Sequence, residues 1–321
     1  MKILITGATG LFGSYLTRKF ASLGEIYALA RPESDKRLLR SFADQIHWIE
    51  GDLLDEVSLE EALLGKDLVI HSGGMVSFRS EDKDKLMQVN AKGTENLING
   101  MLASNVEKII YISSVAALGR SPELKSIDES HKWTESDLNT PYAISKHHAE
   151  LEVWRGVQEG LKAIVVYPSI LMGKIDDGRS STQIYNYVLE ENSYYPKGTI
   201  NYIDVRDAAD LVFRIHQKEL WNEGFILNKE GISYQRFFEE MAYSFGKKVP
   251  NKEVKDWMIN FALFFTWLGK KLGINKSPLN RQTAMLAQLE AVMDNSKVDK
   301  LIEFQYTSLG ETLDWAKSNE N

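Results

Sequence analysis

The chain contains no cysteine. That excludes both a disulfide framework and a thiol nucleophile. Long apolar runs are also missing. The most apolar stretch, 257–268 (WMINFALFFTWL), is interrupted by Asn260 and Thr266 and falls short of the ~20 residues that cross a bilayer. It reads as a buried or lid helix, so no membrane partner is expected; a peripheral contact aided by Lys270 and Lys271 is the alternative. An excess of basic residues is lacking too. The formal net charge is −7, whereas nucleic acid demands a basic face, and no nucleic-acid partner is expected. His147 and His148 are adjacent, hence on different helix faces, and no carboxylate stands beyond them at ligand spacing; no metal is expected. Nothing resembling a leader precedes the first apolar strand, which starts at residue 2, and a cytoplasmic location is the expectation.

What is present is a rhythm. Strand patterns at 2–6, 25–30, 46–50, 67–71, 108–113 and 163–168 alternate with helical stretches, the clearest at 81–104 and 141–159. The runs Leu68-Val69-Ile70 and Ile109-Ile110-Tyr111-Ile112 are apolar on both faces, as parallel strands covered by helices must be. The expected fold class is α/β, a Rossmann doubly wound parallel sheet with a smaller, mostly helical C-terminal substrate region. After Pro168 the alternation breaks, although 201–216 reads as one more strand end and helix of the sheet. The expected division is therefore 1–167 plus 199–227 for a dinucleotide, and 168–198 plus 228–321 for a substrate.

The first strand runs straight into Gly7-Ala8-Thr9-Gly10-Leu11-Phe12-Gly13. Gly7 permits a tight turn, Gly10 lets backbone N–H groups approach a pyrophosphate, and Gly13 lets the next helix pack on the strand. That helix, starting near Leu11, directs its positive end at the phosphates. Cofactor contacts are expected from this whole turn, Thr9 included. At the end of the second strand, where an NAD enzyme places an acid, stands Arg31, with Ser34, Lys36 and Arg37 after it. A guanidinium suits a 2′-phosphate, so NADP(H) is favoured over NAD(H). Asp52-Leu53 follows the third strand and either borders the adenine or opens a helix. His71 reads as a packed strand-end residue, and Gly73 lets the backbone lie against the cofactor.

Tyr142 and Lys146, four apart, fall on one helix face, and Ser113-Ser114 ends the fifth strand. A free tyrosine, with a pKa near ~10, is a poor acid–base group at neutral pH. A lysine cation beside it is expected to favour the phenolate and lower that pKa. Serine can hydrogen-bond the substrate oxygen that the tyrosine protonates.

With these residues the sequence resembles the extended short-chain dehydrogenase/reductases, from the glycine turn through Asn90-Ala-Lys-Gly93, Tyr111-Ile-Ser-Ser114, Tyr142-Ala-Ile-Ser-Lys146, Tyr167-Pro-Ser169 and Asp204-Val-Arg-Asp207 to Leu313-Asp-Trp315. The resemblance implies Ser114, Tyr142 and Lys146 as catalytic residues, Lys146 also on the nicotinamide ribose, Pro168 to Leu171 (Ile170 included) along the nicotinamide, and Asn90 as a support of the central helix. It also implies a homodimer. Ser114 is followed by Val115-Ala116-Ala117-Leu118, without the acidic pair of sugar-nucleotide dehydratases, and the run looks closer to dihydroflavonol-reductase and 3β-hydroxysteroid-dehydrogenase relatives. Arg179, Arg206, Arg214, Arg236 and Arg281 are the C-terminal cations available for a diphosphate, Arg206 reading as structural. Tyr185, Tyr187, Tyr194, Tyr195, Phe261, Phe264, Phe265 and Trp267 are core material or, if some face the cleft, mark an apolar or aromatic substrate. The expectation is an NADP(H)-dependent oxidoreductase acting on the carbonyl of a small molecule. A nucleotide-sugar epimerase and a non-catalytic NADP sensor are the alternatives.

Overall fold

The computed structural model describes residues 1–175, 183–255, 257–259 and 281–318. In chain order its strands are β1 (Lys2–Thr6), β2 (Glu25–Ala30), β3 (Ile46–Glu50), β4 (Leu68–His71), β5 (Lys108–Ile112), β6 (Ser126–Ile127), β7 (Lys162–Pro168), β8 (Ile170–Met172), β9 (Tyr194–Tyr195), β10 (Thr199–Asp204), β11 (Glu223–Leu227), β12 (Glu230–Ser233), β13 (Lys252–Glu253) and β14 (Val292–Met293). Seven of them form one parallel sheet in the order β3-β2-β1-β4-β5-β7-β11. The helices that matter to the site are α1 (Leu11–Phe20), α2 (Glu56–Leu63), α3 (Lys83–Leu86), α4 (Gly93–Ala103), α5 (Pro141–Gln158), α6 (Gln183–Leu189), α7 (Val205–Gln217) and α8 (Tyr234–Phe245).

Strand alternation divides the core into two layers. Ile3 and Ile5 pack with Phe12, Leu16 and Phe20 of α1 and with Leu211 and Val212 of α7. Leu4 points the other way, into Leu59 of α2, Leu97 of α4 and Val153 of α5. At about 1.5–3 kcal/mol per fully buried aliphatic side chain, these two layers dominate the favourable side of folding. They leave the C-terminal ends of the strands free to carry chemistry.

The chain opens α5 at Thr140, whose hydroxyl accepts the Ala143 N–H at 3.2 Å, with Pro141 at the first helical position. The helix expected at 81–104 forms with a π-helical turn, Met87–Lys92, between α3 and α4. That turn carries Asn90, which is buried. Its side chain accepts the Met75 N–H at 2.7 Å and donates to the Met75 carbonyl at 3.0 Å and to the Ser145 hydroxyl at 2.9 Å. One side chain thus ties the loop after β4 to the helix of Tyr142 and Lys146.

One strand differs from expectation. β10 does not join the central sheet; it pairs parallel to β8 and antiparallel to β12 in a three-stranded sheet. The place beside β7 is taken by β11, whose Phe225 and Leu227 enter one core layer and Ile226 the other. The helix following β10, α7, does pack against α1. A third core joins Met172, Tyr185, Ile200, Tyr202, Phe237 and Phe238 under the C-terminal region. Most of the apolar stretch 257–268 lies outside the described residues. Among those described, no helix is long and apolar enough to cross a membrane.

Candidate active site

The glycine turn is as tight as its spacing implies. Gly7 has φ of +70°, and a Cβ there would lie 2.5 Å from the Gly73 nitrogen; at Gly13 it would lie 2.0 Å from the Gly7 carbonyl oxygen. No side chain fits either position without moving backbone. The Gly10 N–H closes the turn on the Gly7 carbonyl at 2.9 Å, and α1 starts at the next residue. Gly10, Leu11, Phe12 and Gly13 then form one wall of a cavity of about 680 Å³. Gly73, Ser114, Tyr142, Lys146, Pro168 and Ile170 line other sides, together with Met75, Val76 and Ile184. A floor of bare backbone at a helix N-terminus, in a cleft of this size, fits the phosphates of a dinucleotide.

The other expected contacts surround this cavity and do not line it. Gly7 shapes the turn and Thr9 stands within it. Leu53 packs behind Gly73 and Gly93, its Cδ1 3.1 Å from where a Gly73 Cβ would sit. Arg31 stands at the end of β2, its side chain 58% exposed, with Nε 3.1 Å from Glu33 and Nη1 3.8 Å from Asp52. The helix N-cap after β3 is Asp55, which accepts the Val57 N–H. Asp52 lies three residues earlier, in a turn closed by the Leu54 N–H on its own carboxylate.

His71 is a packing residue, as its strand-end position suggests. It is buried against Tyr111, and its Nδ1 lies 2.6 Å from the Thr6 hydroxyl. The Thr94 hydroxyl donates to the Asn90 carbonyl at 2.6 Å, so Nε2–H of His71 donates to the Thr94 oxygen at 2.9 Å. Burial first, and the Lys146 cation second, lower its pKa to about 3. Between pH 6.5 and 3 the unfolded chain therefore binds a proton that the folded chain refuses, and stability falls as pH falls through that window. The loss reaches at most about 5 kcal/mol, at ~1.4 kcal/mol per pKa unit. Urea unfolding at pH 7, 5 and 4 is expected to show a shallower decline for His71→Gln than for the wild type; equal slopes would count against this account.

Ser114, Tyr142 and Lys146 converge at one end of the cavity. The Ser114 hydroxyl accepts the Ala116 N–H at 3.2 Å, capping the 3-10 turn Val115–Leu118 and fixing the serine at the end of β5. Tyr142 is half-buried beside Phe78, their rings edge to face at 5.9 Å. Its pKa does not fall as expected. Burial raises it, and a hydrogen bond from Ser114 only partly offsets that. The reason is where the lysine goes: Lys146 Nζ donates to the Ile112 carbonyl at 2.7 Å and sits 4.4 Å above the Tyr111 ring. Burial lowers Lys146 to about 7, with Glu150 pulling it back up.

Glu150 was not singled out by sequence reasoning, although its spacing of four from Lys146 was visible. Its carboxylate accepts the Tyr167 hydroxyl at 2.6 Å, the Trp154 indole N–H at 3.1 Å and the Ser113 hydroxyl at 2.9 Å. It is half-buried one helical turn from the lysine, and desolvation raises its pKa.

A second cavity, about 390 Å³, adjoins the first and shares Phe78, Ser114, Tyr142, Pro168, Ser169 and Ile170 with it. Its further walls are mostly apolar: Leu138, Ala143, Ile200, Leu286, Leu289 and Met293. Of the aromatic residues read as core or cleft material, the described ones do not line this cavity. Tyr185 is buried with its hydroxyl on the Gly173 carbonyl, Tyr187 stacks on Phe238, Tyr195 packs on the third core and Tyr194 is exposed. Phe261, Phe264, Phe265 and Trp267 lie outside the described residues.

The expected C-terminal cations also find structural partners. Arg206 bonds Asp204 through two nitrogens and covers the Trp315 ring at 3.9 Å, Arg214 pairs with Asp210, and Arg236 pairs with Glu240. Arg281 opens a short helix, and Arg179 lies outside the described residues. The cation that does line the apolar cavity is Arg120, two residues beyond the turn after Ser114.

A family profile described as "NAD dependent epimerase/dehydratase family" matches residues 3–226. A Synechocystis sp. protein named "Putative dihydroflavonol 4-reductase" is 28% identical, over 96% of this chain and 91% of its own length. "Cinnamoyl-CoA reductase 1" of Petunia hybrida is 26% identical over 64% of this chain and 66% of its own. The crystal structure of gox2253 superposes with a TM-score of 0.83 at 28% identity, covering 98% of this chain and 96% of that one.

Proposed function

For this chain, which belongs to the NAD dependent epimerase/dehydratase family and is an NAD(P)-dependent enzyme of the extended short-chain dehydrogenase/reductase type, we propose reduction of a small apolar carbonyl compound, or oxidation of the matching secondary alcohol. One observation carries the reading: Ser114 and Tyr142 stand where the cavity that fits a dinucleotide opens into the apolar cavity. The reductase names of the two sequence relatives agree with it.

A nicotinamide cofactor, when bound, supplies or accepts the hydride. The backbone of Gly7–Gly13, with Gly73, Pro168 and Ile170, holds it, and Lys146 orients its ribose. Ser114 hydrogen-bonds the substrate oxygen, and Tyr142, a phenol protonated at neutral pH whose burial raises its pKa further, donates the proton. Residues 168–198 and 228–321 form the substrate side, joined by Thr199, Ile200 and Asn201 of β10. The homodimer contact falls on the groove between the π-helical turn and α5, where Leu151 is exposed.

NADP(H) is the preferred cofactor in this reading, with Arg31 as the 2′-phosphate ligand. A charge-assisted hydrogen bond contributes about 1.5–3 kcal/mol. Arg31→Ala is thus expected to weaken NADPH binding by about 10- to 100-fold and to leave NADH nearly unaffected, as read by quenching of tryptophan fluorescence. Equal losses for both cofactors would reject the preference. The activity itself is tested by NADPH and NADH oxidation against apolar ketones and aldehydes. Isolation of the protein with tightly held cofactor, and turnover of a nucleotide sugar without net oxidation, would favour an epimerase instead.

A further inference from the structure

We propose that the substrate carries a carboxylate, separated by an apolar body from the reacting carbonyl, and that Arg120 binds it. The proposal rests on the carbonyl-reductase reading of the same site. Arg120 lines the apolar cavity that Ser114 and Tyr142 open into. Its Nη1 donates to the carbonyls of Val115 and Gly119, each at 3.0 Å, and its backbone N–H donates to Asn139 at 3.3 Å. Those bonds fix the guanidinium against the loop through one of its three nitrogens.

This guanidinium meets no counter-charge among the described residues. Among the described residues no carboxylate forms an ion pair with Arg120, and no aspartate or glutamate lines the cavity. By contrast Arg31, Arg37, Arg155, Arg206, Arg214 and Arg236 each meet a carboxylate. Arg120 is half-buried, and desolvation lowers its pKa to about 10, the direction expected of a cation short of compensating charge. Asn201, an amide side chain that also lines the cavity, already donates to the Ala291 carbonyl and accepts the Met293 N–H.

A ligand bearing a carboxylate would supply the negative group that the described residues do not. A planar guanidinium fork matches a carboxylate in two-point geometry. A single cation in about 390 Å³ of mostly apolar wall suits one carboxylate better than the diphosphate of a nucleotide sugar, which needs several cations. The chemical class that meets the whole cavity is an apolar keto acid, its carbonyl at Ser114 and Tyr142 and its carboxylate at Arg120.

The test uses apolar ketones of about five to twelve carbons, each as the carboxylate and as its methyl ester, with the wild type, Arg120→Gln and Arg120→Lys. Glutamine keeps a donor for the loop carbonyls without the charge. For the best ketone the wild type is expected to favour the acid over its ester by about 10- to 100-fold in kcat/KM, the range of one charge-assisted contact. Arg120→Gln is expected to bring that ratio near one, and Arg120→Lys to restore part of it. A merely structural arginine would lower acid and ester together and leave the ratio untouched, which would overturn the proposal, as would the absence of acid preference across the set. Thermal shift with the same compounds and NADPH separates the two readings. Acids that raise Tm only when Arg120 is present, without any turnover, would sink the reductase reading and keep the carboxylate site. Reduction of acids and esters alike would do the reverse.

Discussion

Tyr142→Phe is expected to lower kcat for carbonyl reduction by about 10²- to 10⁴-fold, the usual contribution of a positioned acid. Tyr142 is half-buried, and desolvation, only partly offset by Ser114, raises its pKa above the ordinary value. At neutral pH it therefore holds its proton and can deliver it to an oxygen that Ser114 also touches. Phenylalanine keeps the ring and its edge-to-face contact with Phe78, removing only the hydroxyl. The fold is expected to lose about 1 kcal/mol at most, the net worth of one hydrogen bond. NADPH affinity is expected to stay within a few-fold, because the glycine turn and Lys146 are untouched. Single-turnover reduction together with fluorescence titration of NADPH checks both halves. Near-normal turnover would reject Tyr142 as the proton donor, and lost NADPH binding would reassign its role to holding the cofactor.

The parts of this molecule that sequence reasoning reached are those with a local, periodic cause. Ile3-Leu4-Ile5 followed by glycines three apart demands a parallel strand, a tight turn and a helix, and the backbone has all three. Tyr142 and Lys146 four apart on a helix meet Ser114 at a strand end, and they do share a cavity. What escaped depends on contacts far apart in sequence. β10 looks like one more sheet strand, but the site beside β7 goes to Glu223–Leu227, whose single apolar run has little local signal. The direction of the Lys146 amine is set by the Ile112 carbonyl and the Tyr111 face, which no i,i+4 spacing reveals. Arg120 was passed over for a related reason. Its sequence neighbours are those of an exposed loop residue, and its meaning comes only from the Leu286–Met293 side of the cavity closing over it.

Lys146→Met is expected to remove activity while making the unliganded protein more stable. The amine is buried, and burial brings its pKa down to about 7 from the ordinary 10.5. Below pH 7 both the folded and unfolded chains hold the proton, and the folded one bears the whole cost of burying the cation. Between pH 7 and 10.5 the unfolded lysine keeps its proton and the folded one releases it, so wild-type stability rises with pH through that window. The difference is bounded by about 5 kcal/mol, from ~1.4 kcal/mol per unit of lowered pKa. Methionine fills similar space without the charge, a kind of exchange that is often neutral or stabilising. The stability advantage of Lys146→Met is therefore expected to be largest near pH 6 and to shrink towards pH 10, as measured by urea unfolding at several pH values. Over the same series kcat is expected to be lower by at least about 10²-fold, since no cation remains to orient the ribose or to favour proton transfer through Tyr142. Two results would count against this account: a variant less stable than the wild type at pH 6, or one with a stability gap that does not change with pH. Either would mean that the Ile112 carbonyl and the Tyr111 ring compensate the buried cation in full. A lysine that strains the resting fold and acts only when cofactor and substrate arrive is the arrangement expected where stability is given up for function.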